Sequence, residues 1–161
     1  MHIIGVIFTI AFGSLLHFTY KLSGYNTIIG IFSAINESVW EHIKLLFFPT
    51  LIFLVPEYLI YGKDKGNFFF AKFVSISIGM ASIPIIFYTY SGIVGNNYLL
   101  MDILTFIISV ILTYTTSYNI IKADKNYRYG NVVGILLIIL YSILFAIFTF
   151  YPPKISLFLS P

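Results

Sequence analysis

Five apolar runs, each long enough to cross a lipid bilayer, decide most of what this 161-residue chain can fold into. They cover about 3–20, 43–61, 67–90, 98–121 and 131–151, and a helix needs roughly 17–25 such residues to span. Hydrocarbon offers no water to the backbone, so runs of this length close their hydrogen bonds internally as helices. The alternating ten-residue segments of a membrane β-barrel are absent. With 59% hydrophobic and 9% charged residues, and connectors too short for a separate soluble unit, the chain reads as a single integral membrane domain over 1–161. The expected fold class is all-α: a polytopic membrane helix bundle with about five transmembrane helices.

Met1-His2 leads straight into Ile3 with no basic n-region, and no clear small-x-small cleavage site precedes Lys21. The first run is therefore expected to stay as a helix rather than act as a cleaved signal. There is no Cys, which excludes disulfides, thiolate metal sites and Cys nucleophiles. The net charge of +3 reports topology, not nucleic-acid binding. Lys63, Lys65, Lys72, Lys122, Lys125 and Arg128 fall on one side, and Lys21, Lys44 and Lys154 on the other. That bias places the N-terminus in the cytoplasm and the C-terminus outside. The expected surroundings are membrane lipids.

The 21–42 connector is the least regular part. Ile28 to Ile35 is apolar but too short to span, and reads as a short interfacial or re-entrant segment after the first helix. It runs into Asn36-Glu-Ser-Val-Trp-Glu-His-Ile-Lys44, which packs four ionisable side chains into nine residues of a chain otherwise poor in charge. Ser38 with Glu41 three residues on matches a capping box, and Asn36 is an alternative N-cap. Trp40 fits an interfacial aromatic anchor. On a continuous helix Glu37 and Glu41 would share a face and repel, which a metal ion or a pairing with Lys44 would offset. His42 would point about 100° from Glu41.

Polar stripes mark three other runs. Gly5, Thr9, Gly13 and His17 recur every four residues in the first, and Ser75, Gly79 and Ser82 share a face in the third. Asp102, Thr105, Ser109, Thr113 and Thr116 line the fourth. Small residues let helices approach closely, within the chain or in a homo-oligomer. Pro49, Pro56 and Pro84 each remove a backbone donor inside a predicted helix. Glu57, late in the second run, is expected to pair with Lys72 or Lys63. In the five-helix topology His17, Glu37, Glu41, His42, Lys44, Tyr88, Tyr90 and Asp102 all fall at the outer helix ends.

Three chemistries fit that gathering. The leading one is a membrane-embedded, metal-dependent hydrolase or transferase acting on a lipid or lipid-linked substrate. Glu37, Glu41 and His42 would be its catalytic residues. His17, Glu41, His42 and Asp102 would hold a divalent metal, with Zn, Mn or Fe suiting a mixed His/carboxylate set. Asn36, Trp40, Lys44, Tyr88 and Tyr90 would contact substrate. The alternatives are a small ion- or proton-coupled transporter or binding protein, and a non-catalytic membrane subunit. No H-E-x-x-H spacing is present to single out one reaction.

The string Asn-Glu-Ser-Val-Trp-Glu-His-Ile-Lys-Leu-Leu-Phe-Phe-Pro over 36–49, with Gly-Ser-Leu-Leu-His-Phe-Thr-Tyr over 13–20 before it, resembles a family of small bacterial multi-pass membrane proteins of unknown function. The resemblance implies a bacterial cytoplasmic (inner) membrane. It supplies no reaction.

Overall fold

The computed structural model describes residues 1–160 apart from Asp124 and Asn126. All regular structure among them is helical: α1 His2–Leu22, α2 Thr27–Phe32, α3 Val39–Glu57, α4 Phe68–Val94, α5 Leu99–Lys122 and α6 Gly130–Phe150. A π-helical turn, Tyr58–Gly62, prolongs α3, and a 3₁₀ turn, Ser156–Phe158, follows α6. Five helices are long and apolar enough to cross a bilayer, with α3 counted together with its π turn.

The burial pattern is the reverse of a water-soluble protein's. Ile3, Ile7, Leu15, Phe18, Leu136, Ile139 and Ile143 are exposed, while Thr9, Ser75, Ser109, Thr113, Lys44 and Lys72 are buried. An apolar exterior of this extent suits lipid. Helix α3 is the most enclosed of the five spans and packs against α1, α4 and α5. Helix α6 lies against α4, and its Phe145 packs at a tilt against Phe47 and Trp40 of α3.

Small residues set these approaches. A Cβ on Gly13 of α1 would lie 2.6 Å from the Leu45 carbonyl of α3, and one on Gly134 of α6 would lie 2.5 Å from the Phe69 carbonyl of α4. Gly79 of α4 faces Thr113 of α5 at closer range still. The hydroxyl stripe of α5 belongs to this seam. Thr105, Ser109 and Thr113 each donate at 2.8 Å to the carbonyl four residues back, and Ser82 of α4 donates to Ser109 at 2.8 Å. Gly13, Gly79 and Gly134 thus each face a neighbouring helix of the same chain.

The connector folds back rather than spanning. Gly24 and Tyr25 both take left-handed backbone (φ 69° and 63°), which turns the chain out of α1. Asn26 caps α2, accepting from Ile28 N at 2.9 Å. Ser33 then ties the end of α2 to the last turns of α1: its hydroxyl donates to the Leu16 carbonyl and accepts from Tyr20 N at 3.0 Å.

Helix α3 starts at Val39, four residues before the apolar run at 43–61. Hydropathy misses the first turn because Trp40, Glu41 and His42 dilute it. Ser38 is the N-cap, its hydroxyl accepting from Glu41 N at 3.4 Å. The reciprocal half of the capping box is different from expectation. Asn36 Oδ1 accepts from Ser38 N at 2.8 Å, which frees the Glu41 carboxylate to accept from Ile35 N at 2.9 Å. The premise of two carboxylates on one helical face is corrected here: Glu37 precedes the N-cap and is not helical.

Candidate metal centre

The C-terminal end of α1, the start of α3, the end of α4 and the start of α5 converge at one end of the bundle. A cavity of about 360 Å³ opens between them, lined by His17, Glu37, His42, Asn97, Asp102 and Thr105 together with Val39, Ile83, Phe87, Leu99 and Phe106. Polar groups from four helix ends thus face one half-apolar space, the usual anatomy of a small-molecule site.

Three ligand-type side chains meet at its rim. His17 Nε2 lies 3.4 Å from Glu37 Oε2. The His17 and His42 rings are 5.4 Å apart and nearly perpendicular. One donor atom from each of His17, Glu37 and His42 falls within 4.8 Å of the others. Zinc ligands sit at about 2.0–2.2 Å from the ion, so closing on one asks for side-chain adjustment of roughly 1.5 Å.

The local structure explains why these three meet. Gly5, Thr9 and Gly13 pin α1 to its neighbours, and His17 is one further step along that stripe. The Asn36–Ser38 turn holds Glu37 outside the helix, from where its carboxylate reaches His17. His42 Nδ1 donates to the Ser38 carbonyl at 2.9 Å. A carbonyl only accepts, so Nδ1 carries a proton and Nε2 is the nitrogen that remains for an ion. Metal-binding imidazoles are commonly oriented by such an outer hydrogen bond.

Asp102 lines the same cavity but stands outside the three-residue group. It accepts a hydrogen bond from the Tyr90 hydroxyl of α4. Tyr88 is exposed and lines a second cavity of about 280 Å³ with Val39, Phe87, Ser156, Leu159 and Ser160.

Glu41 and Lys44 do not join the site. Lys44 is fully buried and makes an ion pair of 2.7 Å with Glu41. Its other bonds go to the Gly30 carbonyl of α2 at 2.8 Å and to Thr149 of α6 at 3.0 Å. All three ammonium protons are used, and the pair fastens the connector and α6 to α3. Trp40 packs between Phe145, Phe148 and Phe158 rather than on the cavity. Asn36 is spent on its turn.

The other end of the bundle holds a second group. Glu57 pairs with Lys72 at 2.6 Å, the expected partner, and both are 1% exposed. His2 approaches the same carboxylate at 3.5 Å. Lys72 also sits over the rings of Phe68 and Tyr114. Sequence reasoning gave His2 no role and did not single out Asn97, Phe87 or Phe106. Their partners are remote in the chain, and no spacing betrays them.

With Lys44 and Lys72 buried in pairs, the charges left to bias topology are Lys63, Lys65, Lys122, Lys125 and Arg128 at one end, against Lys21 and Lys154 at the end with the cavity.

The chain belongs to DUF6512, described as a family of unknown function, whose model matches residues 1–160. No curated protein and no solved structure matches it.

Proposed function

We propose that this DUF6512 chain is a membrane-embedded metalloenzyme, a hydrolase or transferase whose site opens at the outer face and takes a lipid or lipid-linked substrate. The observation that carries the reading is the meeting of His17, Glu37 and His42 at the rim of the Asp102-lined cavity. Two imidazoles and one carboxylate form a donor set suited to Zn, Mn or Fe, with positions left for water and substrate. Glu37 is the ligand that Glu41 was expected to be. His17 and His42 supply imidazole nitrogens. Asp102, oriented by Tyr90, is the group placed to take a proton from water.

The surplus of basic residues in the loops at the opposite end supports a cytoplasmic location for that end, and so an outward-facing site. Apolar walls from Ile83, Phe87 and Phe106 support a substrate with a hydrocarbon part. The transport reading needs a polar path inward along α5, and the Thr105, Ser109 and Thr113 hydroxyls that would form it each donate to an α5 carbonyl, Ser109 also accepting from Ser82 of α4.

The test is metal content of the full chain purified in detergent, for the wild type and for Glu37→Gln and His42→Ala. The reading expects bound divalent metal in the wild type and its loss from both variants. A wild type that holds none after incubation with zinc, manganese and iron(II) overturns it.

A further inference from the structure

We infer that the substrate of this site is an uncharged carboxylic ester of a lipid, bound with its acyl chain in the second cavity, and not a phosphoester. The inference rests on the metal-centre reading above and goes beyond it to the substrate class.

Charge around the cavity is the first observation. Its ionisable lining residues are His17, Glu37, His42 and Asp102, and no Lys or Arg is among them. Lys44, the nearest cation on α3, is sealed against Glu41 with every proton committed. A divalent ion therefore brings the site to zero net charge, with Glu37 and Asp102 each contributing one negative charge. A phosphoester would add one or two negative charges to a mostly apolar site whose lining holds no cationic side chain to pair with them, Lys21 and Lys154 at this end being exposed and outside the lining. Unpaired charge in such surroundings is expensive. A carboxylic ester enters neutral, and charge develops on its carbonyl oxygen only during attack, where a cation held by His17, Glu37 and His42 would supply stabilisation.

The second observation is adjacency. The second cavity shares Val39 and Phe87 with the first and runs past Tyr88 to Ser156, Leu159 and Ser160. A substrate with its reacting group at His17, Glu37 and His42 thus has a neighbouring space for a chain, walled by the 3₁₀ turn after α6.

The step balances without another reactant. Water adds to the ester carbonyl carbon as Asp102 takes one of its protons. The carbon–oxygen bond to the alcohol breaks, and Asp102 returns that proton to the departing oxygen. The products are a free alcohol and a carboxylate, whose remaining proton goes to solvent.

The experiment uses the zinc-loaded full chain in detergent micelles, with p-nitrophenyl decanoate, p-nitrophenyl acetate and p-nitrophenyl phosphate as probes. Decanoate should turn over at least about a hundredfold faster than the phosphate. Ser160→Trp, at the exposed end of the second cavity, should lower the decanoate-to-acetate ratio roughly tenfold. Ser156→Trp is a second obstruction should the first disturb folding. Zinc bound with no ester turnover, faster turnover of the phosphate, or a chain-length preference indifferent to both tryptophans overturns the inference and leaves the metal centre standing. Absence of bound zinc from the wild type overturns the metal centre itself.

Discussion

The two ends of the bundle each bring a histidine to a carboxylate, and they do so to opposite effect. At one end Glu57 is 1% exposed and bonded to Lys72, with His2 alongside. At the other end Glu37 is 60% exposed and, among the described residues, is met by His17 and, beyond it, His42. The difference is the lysine. An ammonium within bonding distance completes the carboxylate's charge and fills the space a cation would take. Without one, two imidazoles and a carboxylate face a cavity with donor atoms to spare. The same contrast repeats within the nine-residue motif. Glu41 has Lys44 and becomes a structural joint, whereas Glu37, four residues earlier, has none and faces the site.

If the lysine makes the closed end structural, removing it should do most damage. Lys72→Met leaves Glu57 buried without its cation and should cost about 3–5 kcal/mol in detergent unfolding titrations. Glu57→Gln in the same chain should restore most of that loss, since it removes the stranded charge. A Lys72→Met protein as stable as the wild type would erase the distinction between the two ends.

The open end should respond to metal instead. Zinc at a hundred times its dissociation constant should stabilise the wild type by about 2.7 kcal/mol. Thermal unfolding of His17→Ala and His42→Ala should show no such gain. A smaller effect is expected just beneath the site. Ser38→Ala removes the N-cap of α3 and should cost about 1 kcal/mol, read from the same unfolding curves. Smallest of all, Glu37→Gln in metal-free protein should change stability by no more than about 0.5 kcal/mol, because the side chain is solvated and makes no buried bond. A large metal-free penalty would make Glu37 a structural residue like Glu41.

Much of the fold is legible in the sequence because its physics is local. Bilayer-length apolar runs give five spans, and four-residue spacing of Gly5, Thr9 and Gly13 gives a packing face. Ser38 is legible as a cap and Lys44 as a partner for Glu41, since both depend on neighbours three residues away. The site is only half legible. That His17, Glu37, His42 and Asp102 lie at the same end follows from counting helices. That Glu37 rather than Glu41 faces the histidines does not, because it turns on the Asn36 hydrogen bond that keeps Glu37 out of the helix. The role of Trp40 was hidden for a similar reason: its rings of contact come from α6 and from the turn at Ser156–Phe158, more than a hundred residues away. His2 likewise meets Glu57 only because α1 packs on α3.

The central claim is that the lysine-free end holds a metal through His17, Glu37 and His42. Zinc-edge X-ray absorption on the full chain in micelles tests it most directly. The account predicts one zinc per chain with two imidazole nitrogens and a carboxylate oxygen at about 2.0–2.2 Å, and loss of that shell in the His17→Ala, His42→Ala double variant. A wild type that retains no zinc, or a zinc shell that is the same in the double variant, would contradict it.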